Sequence, residues 1–139
     1  MGYRSDVAYT IRFPVPNDAD HEERKKVTDY FYTFIAEAKA NEETARCFSE
    51  EDSDVFKVLE DKLEIRFYAE SVKWYEDYPD VKRHDALISL AKAWTNDNEY
   101  IGGSFARIGE DANDIVEEVW GQGDWDWISI NRSICVDWE

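Results

Sequence analysis

VAYTIRF, residues 7–13, decides how the rest of the chain is read. Val7, Tyr9, Ile11 and Phe13 alternate with Ala8, Thr10 and Arg12, the period of two that a half-buried β-strand requires. Pro14 and Pro16 then stop the strand, because proline has no amide to offer a ladder. A strand with one apolar face needs a second layer, and the next segment supplies it. Within residues 17–40, Val27, Phe31, Phe34, Ile35 and Ala38 fall at spacings of three and four, while Glu22, Glu23, Arg24, Lys25 and Lys26 fall mostly off that stripe. The spacing predicts a helix, with Asn17 or Asp18 capping its first amides.

Outward from there the pattern alternates. Residues 41–54 are polar and acidic and read as an exposed connection that includes a short helix around residues 44–48. Residues 55–59 read either as a short strand or as a helical turn. Leu63, Ile65, Phe67 and Ala69 alternate with Glu64, Arg66, Tyr68 and Glu70, and the phase slips at Ser71 as a bulge would make it. Pro79 suits a first helical turn, where its missing amide costs nothing, and Val81, His84, Leu87, Ile88, Ala91 and Trp94 continue one face. Ile101, Gly103 and Phe105 share a strand face, and the paired glycines Gly102 and Gly103 point to a bulge or a close approach by another backbone. Residues 105–108 and 115–120 are strand-like runs separated by the turn formers GEDAND, which predicts a hairpin, with a helix over 114–120 as the competing reading. Ile128, Ile130, Ile134, Val136 and Trp138 alternate with polar residues and predict one closing strand. This order predicts a single α+β domain over residues 1–139, a mainly antiparallel sheet with two helices on one face. A ferredoxin-like core with extra C-terminal strands fits it best.

The chain has 139 residues, 15% of them aromatic, enough to build a core despite a net charge of -16. No apolar run approaches the roughly 18 residues of a membrane span. The N-terminus MGYRSDVAYTIRF lacks a signal peptide's apolar core, so a cytoplasmic location is expected, that of the host cell if a phage encodes the protein. Cys47 and Cys135 lie far apart without metal-ligand or redox spacing, and both read as reduced, small apolar residues. Residues 42–62 carry eight acidic against three basic groups, and residues 96–139 eleven against two. Nearly all the excess charge therefore sits in two segments, which make a one-sided acidic field if they fold onto the same side. Direct contact with DNA or RNA, or with an anionic membrane, is disfavoured for want of clustered Lys and Arg.

GEDANDIVEEVWGQGDWDW, residues 109–127, places seven carboxylates beside three tryptophans with no Lys or Arg. As a calcium loop counted from Asp111 it fails, because Ile115 and Val116 stand where an oxygen ligand and a glycine belong and Gln122 replaces the closing glutamate. His21, His84, Cys47 and Cys135 are scattered without zinc spacing. Asp124 and Asp126, flanked by Trp125 and Trp127, fit a carboxylate pair over a sugar-stacking floor, but equally a strand with one aromatic and one solvated face. His84 and Asp85 are helix neighbours about 100° apart and do not face each other, so packing against the sheet is the better reading of His84. IGGSFARIG has glycines but neither a phosphate-binding lysine nor a following helix. No cofactor or catalytic residue is implied.

GYRSDV (2–7), VKWYEDYPDV (72–81) and FARIGEDANDI (105–115) resemble blocks of a family of small uncharacterised proteins from bacteria and their phages. Those proteins open with Gly-Tyr-x-Ser-Asp-Val and carry Trp-Tyr-Glu-Asp and Arg-Ile-Gly-Glu-Asp later. The resemblance implies a phage or prophage context, in which small acidic proteins commonly counter host nucleases or CRISPR complexes, and it brings no catalytic residues. The connection at 41–54 and the tryptophan-rich tail depart from the family's pattern.

The expected function is a non-enzymatic acidic module that binds a basic partner protein, such as a nucleic-acid-binding host defence protein, by mimicry or blocking. The expected contact residues are Glu110, Asp111, Asp114, Glu117, Glu118, Asp124, Trp125, Asp126 and Trp127. The alternatives are a small-ligand site or enzyme centred on residues 120–127, or a structural phage component, with homo-oligomerisation left open.

Overall fold

The computed structural model describes residues 3–50, 55–96, 100–111, 113–121, 128–130 and 134–136. In chain order the elements are β1 (Ser5–Arg12), α1 (His21–Ala40), α2 (Glu42–Ala45) with a 3₁₀ turn (Arg46–Glu50), β2 (Phe56–Leu59), β3 (Glu64–Val72), α3 (Pro79–Trp94), β4 (Gly102–Gly109), β5 (Ile115–Gly121), β6 (Ile128–Ile130) and β7 (Ile134–Val136). Strands β1 to β5 form one antiparallel sheet in the order β2-β3-β1-β4-β5, and β6 pairs with β7. β1 to β4 with α1 and α3 make the βαββαβ order of a ferredoxin-like core, and β5 extends it beyond β4. Among the described residues no helix is long and apolar enough to cross a membrane.

One sheet face carries the helices. Val7, Tyr9, Ile11 and Phe13 are buried with Val27, Phe31, Phe34, Ile35 and Ala38 of α1 and Leu87, Ile88 and Ala91 of α3 in one apolar core. Phe13 meets Phe31, Phe34 and Trp94 edge-on or tilted, with ring centroids 5.7–6.1 Å apart. Each such side chain contributes about 2 kcal/mol by leaving water. The helix begins later than residues 17 and 18 suggested. Ala19 N donates to Pro16 O at 3.0 Å, a turn that keeps those residues out of the helix, and Asp20 caps instead by accepting from Glu23 N at 2.8 Å.

The acidic connection is only partly exposed. Thr44 Oγ1 donates to Ala38 O, which folds α2 back onto the end of α1 and buries Thr44, Cys47 and Phe48. Residues 56–59 form a strand, Phe56 opposite Phe67. The slip at Ser71 is real: register shifts between Ser5 and Val7, Ser71 adopts φ 54°, and Asp6 accepts from its amide at 2.8 Å. β4 runs beside β1 without a shift. Gly103 serves a close approach instead, since a Cβ there would lie 2.5 Å from the Trp120 ring and 2.4 Å from Thr10 O.

The second face is closed as well. Ala8, Thr10, Ser104 and Ala106, on the side opposite Tyr9 and Phe105, are buried. The β6–β7 hairpin packs over β1 and β4 there, where small side chains allow another layer to approach. The closing run is therefore two three-residue strands with Ile130 opposite Ile134, not the single strand its alternation predicts. Glu64 lies on this face with no exposure, paired with Arg12 directly opposite in β1 and with Arg66 two residues along. A buried carboxylate of this kind is tolerated because two guanidinium groups replace its water. Glu64→Gln removes the charge of the buried carboxylate that both arginines share, and urea unfolding is expected to show a loss of about 3 kcal/mol.

Candidate functional site

The stretch predicted to carry the site folds as the expected hairpin. β4 and β5 pair from Ile108 opposite Ile115 to Gly102 opposite Gly121, which rules out the competing helix. GEDAND is the turn: Gly109 N donates to Asp114 O at 2.8 Å and Asp114 N to Asp111 O at 3.0 Å. Its carboxylates are put to different uses. Asp114 accepts from the Tyr3 hydroxyl at 2.7 Å and from both terminal nitrogens of Arg107 at 2.7 and 3.0 Å. Asp111 N donates to the Tyr3 hydroxyl at 2.9 Å, and Glu110 accepts from Arg4 N at 2.5 Å. Tyr3 N donates to the Tyr75 hydroxyl at 2.6 Å, and Arg4 Nη1 to Ser71 O at 2.9 Å. Residues of segments 2–7, 72–81 and 105–115 thus meet at one end of the sheet, 111 positions apart in the case of Tyr3 and Asp114. Gly109 makes room for this knot, because a Cβ there would stand 2.2 Å from Asp114 Oδ2 and 2.3 Å from the Tyr3 oxygen.

Arg107, and after it the Tyr3 hydroxyl, hold the Asp114 carboxyl below the ordinary carboxylate value, and Asp114 in turn raises Arg107. Of the predicted contact residues, Asp114 is therefore engaged within the fold, while Glu110 and Asp111 are exposed at the hairpin tip. Arg107 carried a signal, being one of two cations in residues 96–139. Tyr3 carried none.

Along β5 the pleat separates Glu117 from Glu118. Glu118, Val116 and Trp120 share the helix face, where Lys92 Nζ of α3 sits 2.8 Å from Glu118 and 5.3 Å from the Trp120 ring centroid. Glu117 lies on the other face between Ile115 and Val119, which are 42% and 61% exposed. β5 ends the sheet, and among the described residues no strand pairs with its outer edge. Asp124, Trp125, Asp126 and Trp127 lie outside the described residues.

The two acidic segments do not combine along the sheet. β2 and β5 form opposite edges, four strand spacings or roughly 19 Å apart. That exceeds two Debye lengths of about 8 Å each at physiological salt. The β2–β3 turn with Glu60 and Asp61 also lies at the Arg12 end of β1, whereas Glu110 lies at the Ser5 end. A single field from both segments is thus not what their described parts form.

Residues outside the predicted set form the other polar cluster. His84 Nδ1 lies 2.6 Å from the Tyr9 hydroxyl, and the imidazole packs 4.4 Å from the Phe67 ring centroid, over β1 and β3. Cys47 Sγ is 3.8 Å from Nδ1 and donates to Arg83 O at 3.3 Å. Burial, then Arg83, pushes the His84 pKa down to about 4, so the ring is neutral at pH 7. Among the described residues no three His, Cys, Asp or Glu side chains converge as metal ligands.

Two expectations follow from these shifts. Tyr3→Phe removes a donor to Asp114, so NMR titration should show the Asp114 pKa rising toward its ordinary value and unfolding at pH 7 should show a loss of stability. Because the folded value is depressed, that loss shrinks as pH falls through it. His84 is likewise depressed, from 6.5 to about 4, so its unfolded form takes up a proton that the folded form refuses. Stability should fall by roughly 3 kcal/mol as pH drops from about 6.5 to 4, and His84→Phe should flatten that slope.

Comparison with known protein families, with curated proteins and with solved structures finds no match for this chain.

Proposed function

We propose that the protein is a non-enzymatic binding module that accepts an extended, basic segment of a partner protein as an added strand beside β5. The observation that carries this reading is a seven-residue edge strand, IVEEVWG, whose described neighbours leave its outer ladder unpaired and whose only charges are Glu117 and Glu118. An added strand satisfies the ladder's amides and carbonyls, and cross-strand side chains supply selectivity. Facing β5 residue by residue, the partner meets apolar, apolar, acidic, acidic, apolar and apolar positions from Ile115 to Trp120. A pair of adjacent Lys or Arg flanked by β-branched residues is the complementary sequence, one cation reaching each sheet face.

A second copy of this chain is a poorer occupant. Antiparallel pairing of two β5 strands about their centres sets Glu118 opposite Glu118, and in-register parallel pairing aligns both glutamates with themselves. The separation of the two acidic segments favours blocking by strand addition over imitation of a phosphate array. A basic nucleic-acid-binding protein of a host defence system, such as a nuclease or CRISPR component, fits the partner's chemistry and the phage or prophage context that the sequence blocks imply.

The test is a nine-residue peptide of Val and Thr with a central Lys-Lys pair, titrated into the protein and followed by backbone NMR. The expected result is new protection of β5 amides, affinity that falls with salt, and a loss of about tenfold or more in the Glu117→Lys/Glu118→Lys double variant. Equal binding of a peptide with central Glu-Glu overturns the reading.

A further inference from the structure

β3 outruns β2. Phe56 is paired opposite Phe67, and Ala69 to Val72 continue without a β2 partner, beneath the start of α3. A cavity of about 200 Å³ lies there, walled by Phe67, Val72 and Trp74 on one side and Val81, Arg83 and His84 of α3 on the other. Its aromatic wall is continuous: Trp74 stacks on the His84 imidazole at 5.8 Å and 30°, and Phe67 lies 5.8 Å from Trp74.

His84 and Arg83 present donors on this wall. The His84 ring is neutral at pH 7 and its Nδ1 faces the Tyr9 hydroxyl. A phenol is a strong donor and a weak acceptor, so Tyr9 donates to Nδ1 and the imidazole proton sits on Nε2. Among the described residues no group accepts that proton. Arg83 Nε is buried without a hydrogen-bond partner among the described residues. Lys73 adds an ammonium at the mouth, and Asp80, the acid on the lining, is already paired with Arg83. In a chain of net charge -16 this lining has a positive excess of one, two cations against one carboxylate.

We infer that this cavity binds a single-ring aromatic carboxylate, its ring against Trp74 and Phe67 and its oxygens toward His84 Nε2 and the cations at the mouth. The size fits, since a dry cavity of about 150 Å³ already holds a benzene ring. An amine meets two cations against one carboxylate on the described lining, and a neutral ring leaves the donors unmet. The inference is independent of the β5 edge.

The probe is benzoate, with benzylamine and benzyl alcohol as controls of the same ring, titrated into the full chain and read from the His84 imidazole and Trp74 indole NMR signals. Saturable shifts with a Kd on the order of a millimolar or tighter are expected for benzoate, and at least about tenfold weaker binding for the two controls. Val72→Phe fills the cavity from β3 without touching the Tyr9–His84 bond and is expected to abolish binding. His84→Phe keeps the ring packing but removes the donor and is expected to weaken it about tenfold. The inference is overturned if tens of millimolar benzoate leaves both signals unmoved, if benzylamine binds as well as benzoate, or if Val72→Phe binds as the native chain does.

Discussion

Burial of β1 on both faces is the constraint on which the other elements depend. A middle strand with water on one side tolerates many neighbours, but here Val7, Tyr9 and Ile11 face the helices while Ala8 and Thr10 face a second layer. Large side chains on one side set the helix distance. Small ones on the other let the β6–β7 hairpin approach, and they leave no room for the long polar groups that normally cover a solvated sheet. The Arg12–Glu64–Arg66 cluster then lies beside that layer, on the same face as Thr10. Its net contribution to stability is small compared with what breaking it costs.

The same strand explains why the polar knot forms where it does. β1 begins at Ser5, opposite the last residue of β4, so Tyr3 and Arg4 are delivered to the hairpin turn by register alone. The bulge at Ser71 is fastened to Asp6, and Tyr75 follows within reach of Tyr3. The turn's acids are thereby divided: Asp114 is tied into the fold by Tyr3 and Arg107, Glu110 is exposed but accepts from the Arg4 amide, and Asp111 is exposed at the tip.

Much of this was legible from periodicity. The faces of β1, α1 and α3 and the hairpin of β4 and β5 are properties of neighbouring residues, and amphipathic spacing reports them. What escaped depends on partners distant in the chain. Glu64 reads as a solvated position until Arg12 and Arg66 are seen around it. Cys47 and Phe48 are masked by the acids of their connection. Asp114 looks like its neighbours until Tyr3 is brought to it, and Ala8 and Thr10 give no sign of being covered. The break of the last run into two strands had one signal, Arg132, which interrupts the apolar alternation between Ile130 and Ile134. Opposite placement of β2 and β5, one strand from each acidic segment, follows from strand order, which charge counting does not contain.

The position of β1 also bears on how the chain is made. Its flanking partners are β3 and β4, so β1 has both neighbours only once β4 is made. Gly109 pairs with Ser5 across 104 positions, which at about 5–20 residues per second is an interval of roughly 5–20 s of translation. During that time VAYTIRF has at most β3 beside it and keeps one edge open. Sheet completion is thus a late event in synthesis, and chains cut short before β4 are left with their most apolar ladder open to chaperones and proteases.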